Sequence, residues 1–151
     1  FGGWPNQESF SREDLQNLGF PDRVFPKTPS KQFLELFALV RKNDVIGVHV
    51  RLRDFVHHNR VLDAEFYLDA IRKLKQVREG APVWLFSDDP KIAKEMIGQD
   101  FFDFCPSDSQ QLSAGEEMAL LAECSGLVLS SSNFSWWAHF MNNRDAAVVA
   151  P

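Results

Sequence analysis

Polar side chains that can bind an anion stand directly after three apolar runs of this sequence. Arg51 and Arg53 follow the run 45–50, two adjacent carboxylates follow the run 81–87, and a hydroxyl-rich stretch, 130–135, follows the third. A guanidinium group binds two phosphate oxygens at once, and the start of a helix offers unpaired N–H groups. A carboxylate accepts hydrogen bonds from a base or a ribose. Together these residue types suit a nucleotide diphosphate. The candidate binding residues are His49, Arg51, Arg53, Asp54, Ser87, Asp88, Asp89, Ser131, Ser132, Asn133 and Ser135.

Each of these groups also has an ordinary structural explanation. A pair of arginines beside a strand is often surface charge, and a single histidine inside an apolar run, such as His49, is more often a core residue than a ligand contact. One of Asp88 and Asp89 is expected to cap the helix that follows, and Ser132 or Asn133 has the same task at a later helix. The prediction of a binding site therefore rests on the joint placement of these groups.

Helical and strand-like segments alternate along the chain, and this alternation predicts the fold. Strands that are joined by single helices indicate a doubly wound parallel α/β sheet. Ligands of such a sheet bind beyond the carboxyl ends of the strands. Residues 1–29, with four prolines, are expected to form an irregular lead-in, and residues 30–151 the domain itself. We expect helices over 30–42, 63–77, 90–97, 113–124 and 133–142, and strands over 45–50, 81–87, 101–104, 126–130 and 146–150.

Composition limits the classes of function. The 151 residues carry a net charge of −5, which argues against a nucleic-acid partner because no large basic face is available. The spacing of Cys105 and Cys124 fits neither a metal site nor a redox motif, so we expect two buried free thiols. No apolar run is long enough to span a membrane, and no signal peptide is visible.

Three motifs resemble a known family. The segments "VHVRLRDF" (48–55), "FSDD" (86–89) and "SSSNFSWWAHFMN" (130–142) are similar, in order and spacing, to motifs of glycosyltransferase family 11, the α-1,2-fucosyltransferases. The segment "EFYLDAI" (65–71) resembles the tyrosine-rich helix of that family, and "AAVVAP" (146–151) its final strand. The serine–aromatic motif with two adjacent tryptophans is the most specific of these signals.

The resemblance implies an inverting GT-B enzyme that needs no metal and uses GDP-β-L-fucose as donor and a galactoside-containing glycan as acceptor. This chain corresponds to the Rossmann-like, GDP-binding C-terminal half, truncated at both ends and without the N-terminal half. By this resemblance Arg51 is the catalytic residue: it holds the donor diphosphate and stabilises charge on the leaving GDP. His49 and Asp88 or Asp89 are expected near the guanine or ribose, and the turn 131–135 near the phosphates or the fucose.

The chain departs from the family pattern at two positions. Where the family commonly reads His-x-Arg-Arg-Gly-Asp, Leu52 replaces the second arginine and Arg53 replaces the glycine. A GT-B enzyme reacts in the cleft between two domains, so this fragment alone is expected to be inactive. We expect a cytoplasmic or peripheral membrane location in a bacterium, or the Golgi lumen in a eukaryote.

Two alternatives stay open at this point. One is another GDP-fucose-dependent fucosyltransferase that acts on a chitooligosaccharide or on protein O-sites. The other is a non-catalytic nucleotide-binding or glycan-binding module, of which the change at Leu52 and Arg53 would be a sign.

Overall fold

Helices and strands alternate in the computed structural model, which describes residues 25–53, 61–109 and 111–151 together with residues 13 and 17. Two short 3₁₀ segments, Gln99–Phe101 and Pro106–Ser109, lie between the third and fourth helices. In chain order the elements are α1 (Lys31–Lys42), β1 (Ile46–Val50), α2 (Ala64–Val77), β2 (Val83–Ser87), α3 (Pro90–Ile97), α4 (Ala114–Leu121), β3 (Gly126–Val128), α5 (Asn133–Phe140) and β4 (Ala147–Val149).

The four strands form one parallel sheet in the order β2-β1-β3-β4. The chain passes from β1 to β2 on one side and then crosses to β3 on the other, so the order reverses at β1. The parallel α/β fold predicted from the sequence is confirmed. The strand predicted over 101–104 is wrong: Phe104 alone makes a bridge to Trp84, because the preceding residues turn as a 3₁₀ helix.

Side chains alternate across the sheet and divide the core into two layers. On one face, Ile46, Val48 and Val50 pack with Leu52 against helices α2 and α3. On the other face, which helices α1, α4 and α5 cover, Val45 is buried with their apolar side chains. Gly47 lies on this second face, where a Cβ atom would stand 2.7 Å from Leu121 Cδ1. The glycine therefore permits α4 to approach the strand closely.

Five helix starts are fixed by a side-chain oxygen that accepts a backbone N–H of the first turn. This confirms that one of Asp88 and Asp89, namely Asp89, caps a helix, and that Ser132 caps another. Asp63 caps α2 in the same way, and Ser113 and Glu116 form a capping box at α4. The capping residues are Ser30, Asp63, Asp89, Ser113 and Ser132.

The two adjacent tryptophans of the third motif lie outside the two core layers. Trp136 and Trp137 are both half-buried. They pack edge to face on each other, and Trp136 stacks on Phe140 with 5.3 Å between ring centroids. The face of α5 that points inward carries the smaller side chains Ser135 and Ala138.

Three further predictions concern the cysteines, the start of the chain and membrane-spanning helices. Cys105 and Cys124 are buried free thiols, as predicted. Asp54 lies outside the described residues, as do residues 1–24 of the predicted lead-in 1–29 with the exception of residues 13 and 17. Within the ranges that the structure describes, no helix is long and apolar enough to cross a bilayer.

Candidate functional site

Asp88 joins the ends of the two neighbouring strands β1 and β2. Its carboxylate accepts the backbone N–H groups of Leu52, at 2.9 Å, and Arg53, at 3.1 Å. The same carboxylate lies 3.3 Å from Nε of Arg51. One acidic side chain therefore fixes the backbone after β1 and orients the guanidinium group that the sequence marks as the main anion ligand.

His49 and a serine turn form a second cluster at the same edge of the sheet. Nδ1 of His49 lies 2.7 Å from Oγ of Ser130, which follows β3. The imidazole ring stacks on Phe134 of α5 at 5.0 Å between centroids. Because His49 and Arg51 are only two residues apart, the two clusters are neighbours. The carboxyl ends of β1, β2 and β3 thus meet as the sequence predicts.

Burial controls the charge of the histidine. His49 is 4% exposed. Desolvation, together with the nearby positive charge of Arg51, lowers the pKa of His49 from 6.5 to about 3. The ring is therefore neutral near pH 7, and Arg51 carries the positive charge of the pair.

The turn into α5 offers a second group that favours anions. Ser132 caps the helix by accepting the N–H of Phe134 at 3.2 Å, while Ser131 and Asn133 are exposed. The N-terminus of α5 carries the positive end of the helix dipole. The carboxyl edge of the sheet thus carries the N–H groups at the start of α5, the exposed side chains of Ser131 and Asn133, and the guanidinium group of Arg51. These groups suit a phosphorylated ligand.

Other candidate residues have structural tasks in this arrangement. Asp89 caps α3 through the N–H of Ile92, and Oγ of Ser87 accepts the N–H of Asp89. Ser135 has no exposed surface, and its hydroxyl group binds the carbonyl oxygens at the start of the turn. The side chain of Arg53 is exposed. Direct ligand contacts of these four residues stay predictions.

Leu52 shows how the departure from the family pattern is accommodated. Its side chain is 3% exposed and belongs to the core layer under α2, on the face opposite His49. Tyr67 is fully buried in the same core layer, and burial, assisted by the negative charge of Asp88, raises the pKa of its phenol. Leu52 therefore contributes to the packing of the core. The side chain that pairs with Asp88 is that of Arg51.

Two serines of the site were not in the predicted set. Ser130 contacts His49, and the Oγ of Ser107 accepts the N–H of Ser87 at 3.1 Å. The position of Ser130 at the end of an apolar run was visible in the sequence, but its partner was not, because the two residues are 81 positions apart.

A cavity of about 430 Å³ lies elsewhere, at the outer edge of β2. Its lining includes Phe102, Phe104 and the ion pair of Lys94 with Asp108. It contains none of the predicted binding residues. Among the described residues, no group of three or more His, Cys, Asp or Glu side chains is arranged to hold a metal ion.

The parallel sheet, with polar groups at its switch point, defines a doubly wound, Rossmann-like α/β domain. The pattern of the family described as "Glycosyl transferase family 11" matches residues 7–151. The chain therefore belongs to glycosyltransferase family 11.

Similar proteins include an α-1,2-colitosyltransferase of Escherichia coli, 25% identical over 99% of this chain and 53% of that protein. The O-antigen biosynthesis glycosyltransferase WbnK of Escherichia coli is 27% identical over 92% of this chain and 45% of its own. A galactoside α-(1,2)-fucosyltransferase 1 of Bos taurus is 26% identical over 73% of this chain and 32% of its own. The chain thus spans about half the length of the first two relatives.

The crystal structure of the fucosyltransferase NodZ from Bradyrhizobium has a similar fold, with a TM-score of 0.50 and 23% identity. The similarity covers 72% of this chain and 41% of that chain. It supports the Rossmann-like, GT-B type of fold that the sequence motifs imply.

Proposed function

We propose that this chain is the donor-binding part of an inverting glycosyltransferase. The enzyme moves L-fucose from GDP-β-L-fucose to the 2-hydroxyl of a galactoside. Membership of family 11 and the name of the Bos taurus relative support the reaction. The observation that carries the proposal is the meeting of Arg51, Asp88 and the start of α5 at one edge of the sheet.

In the proposed reaction the oxygen of the acceptor hydroxyl attacks the anomeric carbon of fucose as the bond from that carbon to GDP breaks. The hydroxyl proton passes to a base or to water, and GDP leaves. Negative charge then accumulates on the diphosphate. Arg51, oriented by Asp88, and the N-terminus of α5 stabilise that charge, which is electrostatic catalysis. We propose that no metal is needed for this step, so activity is expected to persist in a chelator such as EDTA.

The test uses the full-length protein. Incubation with GDP-fucose and lactose is expected to yield an α-1,2-linked product in linkage analysis. Arg51→Ala is expected to weaken GDP binding, measured by calorimetry, by about 10- to 100-fold, the loss of a hydrogen bond to a charged group. Arg72→Ala is the matched control, because Arg72 is exposed and pairs only with Asp69 among the described residues. Unchanged GDP affinity in Arg51→Ala would refute the assignment.

A second experiment compares residues 1–151 with the full-length protein. Because the chain spans about half of the curated relatives, we propose that residues 1–151 bind GDP but transfer no sugar, whereas the full-length protein does both. GDP binding without turnover in the full-length protein would instead favour a non-catalytic module.

The colitosyltransferase supports a second candidate donor. That relative covers almost all of this chain, and its name gives the same 1,2 linkage with colitose, a sugar that lacks one hydroxyl group of fucose. The alternative is therefore transfer of colitose from its nucleotide donor. Comparison of kcat/KM for the two nucleotide sugars separates the candidates. An α-1,6 or protein-linked product would favour another class of fucosyltransferase.

The cellular location is also a proposal. We propose a cytoplasmic or peripheral membrane enzyme of a bacterium, which the two Escherichia coli relatives support. Fractionation of cells that express the full-length protein tests it.

A further inference from the structure

The ring of His49 makes one hydrogen bond among the described residues, from Nδ1 to the hydroxyl group of Ser130. The two atoms are 2.7 Å apart, and Ser130 is 2% exposed. Oγ of Ser130 also lies 3.4 Å from Oγ of Ser135. The position of the protons in this chain decides whether Nδ1 accepts or donates.

The distances point to one arrangement of the protons. Ser135 has a single hydroxyl proton, and two carbonyl oxygens, those of Ser130 and Ser132, are each 3.1 Å from its Oγ. That proton therefore goes to a carbonyl oxygen. The proton of Ser130 then has a choice between Nδ1 at 2.7 Å and Oγ of Ser135 at 3.4 Å. If Nδ1 donated instead, the proton of Ser130 would find among the described residues only Oγ of Ser135 at 3.4 Å. That distance is longer than the range of about 2.5–3.0 Å for a hydroxyl donor, so Ser130 donates and Nδ1 accepts.

The other ring nitrogen, Nε2, makes no hydrogen bond within the described part of the chain. A neutral imidazole that accepts at Nδ1 carries its proton at Nε2. Because His49 is the penultimate residue of β1, this unused N–H donor lies at the carboxyl end of the strand, two residues before Arg51.

We propose that Ser130 is a positioning residue that holds His49 as the Nε2-protonated tautomer, so that this ring donates a hydrogen bond to an acceptor atom of the bound nucleotide. The identity of the ligand rests on the proposed function, whereas the tautomer does not. The reason is that the hydrogen bonds of Ser130 and Ser135 are formed within the protein.

The first measurement is a long-range ¹⁵N–¹H correlation spectrum of the ¹⁵N-labelled full-length protein near pH 7. It is expected to show a pyridine-type Nδ1 and a pyrrole-type Nε2 for His49. A protonated Nδ1 would overturn the proposal without any variant. In Ser130→Ala the two tautomers are expected to mix, and in Ser130→Thr, which keeps the hydroxyl group, the wild-type pattern is expected to return. A single Nε2-protonated form in Ser130→Ala would refute the role of Ser130.

Ser125→Ala is the matched control. Ser125 is a buried serine at the opposite end of β3, and its Oγ accepts the N–H of Val45 at 3.0 Å. Its loss costs a comparable buried hydrogen bond but is expected to leave the His49 signals unchanged.

The second measurement is GDP affinity by calorimetry. Ser130→Ala is expected to bind GDP about 3- to 10-fold more weakly than wild type, the effect of one misaligned neutral hydrogen bond. Ser125→Ala is expected to match wild type. Equal affinity of Ser130→Ala and wild type would overturn the contact with the nucleotide. If wild type shows the expected tautomer but binds no GDP, the proposed function fails and the assignment of Ser130 stands.

Discussion

The carboxylate of Asp88 binds two consecutive backbone N–H groups and the side chain of Arg51. Three contacts on one acidic group, itself 14% exposed, make it a positioning residue for the guanidinium group. Its neighbour Asp89 caps a helix instead. The two adjacent aspartates thus have different tasks. Asp88 binds the residues that follow β1, whereas Asp89 binds the first turn of α3.

Asp88→Asn tests this role. An amide of the same shape has no negative charge for Arg51 and presents an NH₂ group to one of the two backbone N–H donors. We expect GDP affinity to fall by about 10-fold or more, as for the loss of a charged hydrogen bond. Calorimetry measures the affinity, and Asp69→Asn, which removes an exposed carboxylate from Arg72, is the control. Equal losses in both variants would contradict the assignment.

The buried histidine predicts a dependence of stability on pH. The pKa of His49 is about 3 when folded and 6.5 in its ordinary state, so between these values the unfolded chain binds a proton that the folded chain does not. The stability from the neutral ring is complete above pH 6.5 and is lost as the pH falls towards 3.

From pH 7.5 to 5.0 we expect this group to lower the free energy of unfolding by about 2 kcal/mol. In His49→Gln, which cannot titrate, that part of the loss is expected to be absent. Urea unfolding of both proteins at the two pH values gives the difference. An identical loss in the variant would show that other groups are responsible.

At the scale of the elements, Glu116 connects the starts of two helices. Its carboxylate accepts the N–H of Ser30, the capping residue of α1, and the N–H of Ser113, the capping residue of α4, each at 2.7 Å. Burial by itself raises the pKa of the acid, but the hydrogen bonds from Ser113 and Ser30 lower it to about 2. The ionised form is therefore the one that holds the two helices together.

Glu116→Gln is expected to lower the free energy of unfolding at pH 7 by about 1–2 kcal/mol, because hydrogen bonds to a charged group are lost. The folded pKa is depressed, so the stability from the carboxylate is present above pH 4.5 and lost as the pH falls towards 2. The difference between variant and wild type should shrink in that range. Glu35→Gln, which changes an exposed acid on α1, is the control for urea unfolding. A difference that does not change with pH would contradict this explanation.

At the scale of the whole domain, the two ends of the sheet have separate tasks. The carboxyl end carries the candidate site. At the amino end, Nη1 of Arg144 binds the carbonyl oxygens of Val40, at 2.5 Å, Asn43, at 3.0 Å, and Glu123, at 3.3 Å. A single guanidinium group, in the segment after α5, thus joins the end of α1 to the segment between α4 and β3.

Arg144→Lys separates stability from binding. Lysine keeps the charge but lacks the planar fork, so it cannot reproduce these contacts. We expect a loss of about 2 kcal/mol and a decrease of about 4–8 °C in Tm. GDP affinity is expected to stay within about twofold of wild type, since the change is at the opposite end of the sheet. Arg72→Lys, on the exposed face of α2, is the control for scanning calorimetry, and a large loss of GDP affinity would show that the two ends are coupled.

Local chemistry explains most of what could be predicted from the sequence. Helix starts followed from caps such as Asp89 and Ser132, and buried strands from runs such as 45–50, because hydrogen bonds and side-chain periodicity act over a few residues. The strand predicted over 101–104 was wrong, because a short apolar run does not reveal whether a neighbouring strand can pair with it.

The partners of the site residues depended on the tertiary structure. From the sequence alone follow the residue types, their position after each strand and, through the motifs, the family. It did not determine that Asp88 rather than Asp89 meets Arg51, that His49 pairs with Ser130, or that both tryptophans lie outside the core. The first two of these contacts join residues 37 and 81 positions apart, and only the packing of helices on both faces of the sheet brings them within bonding distance.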